Sequence, residues 1–74
     1  MKRIALFHLE TLMWIERLGT FAAAAQRLNT TQSAISARVR EIEQQLGTAL
    51  FQREGRRMVL TARGRRLVQA SEPL

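Results

Sequence analysis

Between Gly19 and Gly47 the sequence leaves room for two helices and almost nothing between them. Gly19 suits the position just past a helix end, and the Thr20 hydroxyl can accept a bond from an unpaired N–H of a following turn. A short second helix, about 21–28, is therefore expected, with Ala22, Ala23, Ala24 and Ala25 in succession. Asn29 tolerates a left-handed backbone, and Thr30 and Thr31 offer capping hydroxyls for a third helix opening near Gln32. Gly47 closes that helix. The alanines leave little side-chain volume, so the two helices can approach closely.

The third helix carries the clearest periodicity. Ile35, Val39, Ile42 and Leu46 fall at i, i+4, i+7 and i+11 and form one apolar stripe. Opposite it lie Ser33, Ala37, Arg40 and Gln44, flanked by Gln32 and Ser36. The first half of this outer face is small and polar, with no acid before Glu41. Such a surface can enter a groove lined with phosphates, while Glu41 and Glu43 belong to the half expected to point away.

Around this pair the remaining chain supplies three more elements. Leu9, Leu12 and Met13, with Leu6, recur at helical spacing and predict a first helix over 6–18. Leu50-Phe51-Gln52-Arg53 and Met58-Val59-Leu60 are short strand-type runs, and Gly55 supplies a turn between them. Thr61 reads as the N-cap of a last helix. The expected core is Leu9, Leu12, Met13, Phe21, Leu28, Ile35, Val39, Ile42, Leu46 and Phe51. Two helices joined by a tight turn, the second apolar inside, form a helix-turn-helix, and the hairpin adds a wing. The expected fold is mainly α: a winged helix-turn-helix with a three-helix core, a short two-stranded wing and the start of a C-terminal helix.

Seventy-four residues allow one small domain. Twelve Lys and Arg oppose six Asp and Glu, for a net charge of +6, and eleven of the twelve cations are Arg. That excess points to a polyanion, and arginine favours forked hydrogen bonding to phosphates and guanine edges. The absence of cysteine removes disulfides and thiolate metal sites and fits a reducing compartment. His8 has no companion ligands at metal spacing, and no spacing unites a nucleophile with a base, so neither a catalytic site, a metal nor a cofactor is expected. No apolar run is long enough for a membrane span, and the expectation is a soluble cytoplasmic domain.

Gly19-Thr20-Phe21, Ala24-Ala25, Leu28 and Thr31-Gln32-Ser33-Ala34-Ile35-Ser36 together resemble the N-terminal domain of LysR-type transcriptional regulators. The resemblance continues through Ile42-Glu43, Leu46-Gly47, Leu50-Phe51, Arg53, Leu60-Thr61 and Gly64, and spans about residues 4–70. It implies a homodimeric bacterial regulator that binds interrupted palindromes in double-stranded DNA. It also implies a linker helix that pairs two subunits, and an effector-binding C-terminal domain that would carry any small-molecule response. On that pattern residues 1–60 are the DNA-binding domain and 61–74 begin the linker helix, cut short, with the effector domain absent from this sequence.

The residue pattern and the resemblance both assign the reading role to helix 31–46. Gln32 can bond an adenine edge or a phosphate, Ser33 and Ser36 can approach bases or backbone, and Thr31 can meet phosphate at the helix N-terminus. The family often has Pro where this chain has Ser33 and a basic residue where it has Ala37. Ala37 cannot donate a hydrogen bond but can touch a thymine methyl. Arg40, on the outward face, is assigned to phosphate; Arg38, near the stripe, serves equally well as a cation or as a shield for the core. Arg53, Arg56 and Arg57 gather on the wing, where they would meet phosphates or a narrow minor groove. Arg63, Arg65 and Arg66 face either backbone or solvent, and Trp14 is either half-exposed or a dimer contact. The competing class is a helical protein–protein module with incidental charge; it would display exposed Leu, Phe or Met anchors on the third helix, which instead shows Gln, Ser, Ala and Arg. An RNA or membrane-surface binder is a third class.

Overall fold

The computed structural model describes residues 6–71. Four helices and one hairpin follow in the order α1 (Leu6–Leu18), α2 (Phe21–Arg27), α3 (Gln32–Leu46), β1 (Phe51–Glu54), β2 (Arg57–Leu60) and α4 (Ala62–Ser71). The elements are those expected from the sequence, with ends displaced by a residue at α2 and in the hairpin. Terminal Met1 to Ala5 and Glu72 to Leu74 lie outside the described residues, so the end of the linker segment expected over 61–74 does too.

Local chemistry fixes each helix end. The Thr20 and Thr31 hydroxyls accept from the N–H groups of Ala23 and Ala34, each at 3.0 Å, which satisfies one orphan donor per helix. Beyond α2, Asn29 takes φ +57°. This left-handed step lets the Thr30 N–H donate to the Ala25 carbonyl at 2.9 Å and the Asn29 N–H to that of Gln26 at 3.2 Å. The pattern is a Schellman closure, which turns the chain into α3 within three residues. Gly47, at φ +68°, ends α3. The Thr61 hydroxyl caps α4 by accepting from Gly64 N–H at 3.1 Å, and it donates to the Ala49 carbonyl at 2.8 Å.

The core gathers between α1, α2 and α3 and extends under the hairpin and α4. Leu12, Ile15, Ala24, Ile35, Ile42 and Leu50 are fully enclosed, with Ala25, Val39, Phe51, Leu60 and Val68 nearly so. Each enclosed Leu or Ile contributes about 1.5–3 kcal/mol of transfer free energy. Leu9, Met13, Phe21 and Leu28, expected inside, are partly buried against this cluster. Ile15, Ala24, Leu50, Leu60 and Val68 join it without having been expected there.

Leu46 is the correction: it is 41% exposed, although it continues the apolar stripe. The rotation about the helix axis is right, but the described part of α1 packs against the middle of α3 and not against its last turn. Arg38 and Glu41 are already level with Phe7, His8 and Thr11, at the start of α1, so the last turn of α3 passes beyond the described part of that helix.

The hairpin pairs Phe51 with Leu60 and Glu54 with Arg57, antiparallel, leaving a two-residue turn at Gly55-Arg56. Gly55 has φ +61° and Arg56 has no positive φ, as a II′-type turn with Gly at its first central position requires. A further bond, from Met58 N–H to the Gly19 carbonyl at 2.8 Å, ties β2 to the corner between α1 and α2. The wing is therefore anchored at both its base and its side.

Candidate nucleic-acid interface

With Ile35, Val39 and Ile42 turned inward, α3 presents its other side to solvent. Gln32, Ser33, Ala37 and Arg40 are exposed and Ser36 is half-buried. These five line one open hollow of about 400 Å³, because Ser33, Ser36 and Ala37 are short and leave the space between the longer Gln32 and Arg40 unfilled. Among the described residues none of these side chains is held by a hydrogen bond or ion pair, so their polar atoms remain available.

A second hollow, of about 270 Å³, adjoins the first at Gln32 and is lined by Thr20, Phe21, Ala22, Arg53, Arg56 and Met58. A third connects Ser36 and Arg40 to Phe21, Phe51 and Met58. The outward face of α3, the first turn of α2 and the wing thus form one continuous concave surface. Gln32, Ser33, Ser36, Ala37, Arg40, Arg53 and Arg56 share it. The contribution of α2 was not read from the sequence; Thr20 was visible as a cap, but its nearness to the wing depends on the Met58–Gly19 bond.

Two of the expected residues stand differently. Thr31 is exposed beside the hollow, and its hydroxyl is engaged as the cap of α3. Arg57 lines none of the three hollows. Its guanidinium lies against Gly19, so close that a Cβ built there would be 2.8 Å from Cζ. Arg38 also turns away: its guanidinium stands 5.2 Å from the Phe7 ring, and its Nη1 donates to Thr11 Oγ1 at 3.4 Å. Of the two readings left open for Arg38, shielding the core is the one this geometry matches.

The electrostatics favour the same face. Of the acids of α3, Glu41 is committed elsewhere, its Oε1 2.9 Å from His8 Nε2; Glu43, expected to point away, instead lines the third hollow, where its Oε2 accepts from Leu50 N–H at 2.8 Å. No arginine among the described residues is ion-paired to a carboxylate. Arg17 and Arg27 instead flank the half-buried Trp14 ring at 5.3 and 4.3 Å. Among the described residues the arginine charge is therefore not neutralised by ion pairs. Among the described residues no group of three or more His, Asp or Glu is placed to hold a metal, and no helix is long and apolar enough to cross a membrane.

A sequence profile for the bacterial regulatory helix-turn-helix proteins of the lysR family matches residues 6–65. The chain belongs to that family. Among its LysR-type relatives, the HTH-type transcriptional regulator HdfR of Escherichia coli O139:H28 is 42% identical over 66 residues, which cover 89% of this chain and 24% of HdfR. The chain thus spans about a quarter of the length of the curated relatives it matches. Its fold is also that of solved LysR-type domains. A complex of the CbnR DNA-binding domain with DNA superposes with a TM-score of 0.83 at 30% identity, covering 90% of this chain and 77% of that one. The BenM DNA-binding domain with benA site 1 DNA gives 0.84 at 27% identity, covering 90% and 75%. OxyR of Corynebacterium glutamicum gives 0.84 at 29%, covering 93% of this chain and 22% of OxyR.

Proposed function

We propose that this chain binds double-stranded DNA in a sequence-specific manner as the DNA-binding part of a LysR-type transcriptional regulator. Residues 1–60 form the reading unit, with α3 in the major groove and the wing on the backbone or in the adjacent minor groove. The observation that carries this reading is the continuity of the hollow on α3 with the arginine-bearing groove of the wing. Duplex DNA offers base edges and phosphates to such a polar, arginine-lined surface, whereas a protein partner would need apolar anchors on that face. The exposed Leu6, Phe7, Leu18 and Leu46 do not line it. RNA reading calls for free aromatic platforms, and Phe21 and Phe51 are engaged edge to face at 6.0 Å within the fold. That two of the neighbouring structures are complexes with DNA supports the same reading.

Several finer assignments belong to the proposal. Gln32, Ser33, Ser36 and Ala37 read bases; Thr31, Arg40, Arg53, Arg56 and Arg57 take phosphates, Arg57 after leaving its seat on Gly19. Residues 61–74 begin a linker helix through which two copies pair on an interrupted palindrome; Gly64 and Val68 face the core, which leaves the other side of α4 for that pairing. The role is non-enzymatic and cytoplasmic, and a small-molecule effector would act through a further domain in a protein of the relatives' length.

Mobility shifts at two salt concentrations test the assignment. Gln32→Ala or Ser36→Ala should weaken specific over non-specific binding by about 1–3 kcal/mol for each base edge no longer read. Arg40→Ala or Arg56→Ala should weaken binding to all sequences and reduce the salt slope by about 0.9 for each phosphate no longer neutralised. If all four variants bind as the parent does, the surface has been assigned wrongly.

A further inference from the structure

The hollow on α3 also constrains which base edge it accepts, an inference that rests on the duplex-binding reading above. Its middle is formed by Ala37 with Ser33 one turn before it, and Gln32 and Arg40 stand at the two ends. Ala37 is exposed and offers only a methyl group. The Ser33 hydroxyl has no intramolecular partner among the described residues. At i and i+4 the two side chains are neighbours on the helix surface.

In the major groove, guanine presents two acceptors, adenine an acceptor and a donor, and cytosine an amino donor. Only thymine presents an acceptor beside an apolar group, its O4 next to the C5-methyl. A methyl surface set against guanine or cytosine would strip water from polar atoms and return nothing, a cost larger than the gain from a good bond. The serine–alanine pair matches thymine on both counts: a hydroxyl to donate to O4 and a methyl to cover the C5-methyl. We propose that Ser33 and Ala37 together recognise a thymine, so that the centre of each bound half-site is an A·T pair with its thymine edge toward α3.

The experiment begins with sites selected by the 74-residue chain from a random duplex pool. Each thymine of the selected site is then replaced singly by deoxyuridine, which removes the C5-methyl and nothing else, and the dissociation constant is measured at fixed salt. One position per half-site should lose about fourfold in affinity, the transfer worth of one methyl group. With Ala37→Ser, which puts a hydroxyl where the methyl surface was, the thymine site should be bound more weakly than by the parent and the further loss on deoxyuridine replacement should vanish. A flat response to deoxyuridine at every thymine, on a site still bound specifically, overturns the inference and leaves the duplex reading intact. Persistence of the loss in Ala37→Ser overturns the role given to Ala37. A selection that enriches no duplex overturns both readings.

Discussion

At Gly64 a single methyl group has nowhere to go. A Cβ there would sit 2.5 Å from the Leu50 carbonyl oxygen and 2.9 Å from Leu60 Cδ2. The first of these is backbone and cannot swing aside; the Leu50 carbonyl also accepts the Thr61 N–H at 2.9 Å, which locks it in place. Gly64→Ala should therefore force α4 off the hairpin and cost about 1–3 kcal/mol, as overpacking usually does. Urea unfolding monitored by circular dichroism reads this as a lower midpoint, and an unchanged midpoint would refute the close packing. Gly19 differs, because the atoms its Cβ would meet belong to the movable guanidinium of Arg57; there the difficulty is the backbone, at φ +91°.

The element whose integrity matters most to the site is α3, and its first turn does two jobs. Thr31 caps the helix, and it stands exposed beside Gln32 on the face proposed to meet DNA. Substitution can separate the jobs. Thr31→Ala removes the acceptor and should cost about 1 kcal/mol of stability. Thr31→Asp keeps an acceptor and suits the helix dipole, so stability should hold, while a carboxylate beside phosphates weakens binding. Thermal unfolding with a parallel anisotropy titration distinguishes them, and an Asp variant that binds as tightly as the parent would remove Thr31 from the interface. These caps were visible in the sequence because capping is local: Thr20, Thr31, Asn29 and Gly47 each specify their own turn. So was the outward face of α3, since a periodicity that buries Ile35, Val39 and Ile42 exposes Ser33 and Ala37. What the sequence did not disclose depends on which element lies opposite. Leu46 keeps the period, yet its turn passes beyond the described part of α1; Ile15 and Leu50 are buried by elements distant in the chain. Arg57 and Arg56 are adjacent in sequence, yet one rests on Gly19 and the other lines the groove, a difference set by the bond between Met58 and Gly19.

Taken together, the charges describe a fold that is not electrostatically complete by itself. The net charge is +6, and no arginine among the described residues is ion-paired to a carboxylate. Like charges held within one small body repel, so the compact state is disfavoured by its own field. Screening weakens that repulsion within a Debye length of about 10 Å at 0.1 M salt. Added sodium chloride should therefore raise the melting temperature of the free domain. The same salt should lower its affinity for DNA, with log K falling by about 0.9 per decade of salt for each phosphate neutralised. Opposite signs are the signature: salt and DNA both relieve the positive field, so they compete for one task. A short duplex at 100 times its dissociation constant should stabilise the fold by about 2.7 kcal/mol, and that increment should shrink as salt rises and affinity falls. Differential scanning fluorimetry across a salt series, with and without duplex, measures both trends. A free domain that melts lower in high salt would mean that favourable internal pairs outweigh repulsion, and the positive field could then no longer be ascribed to the needs of a polyanionic partner.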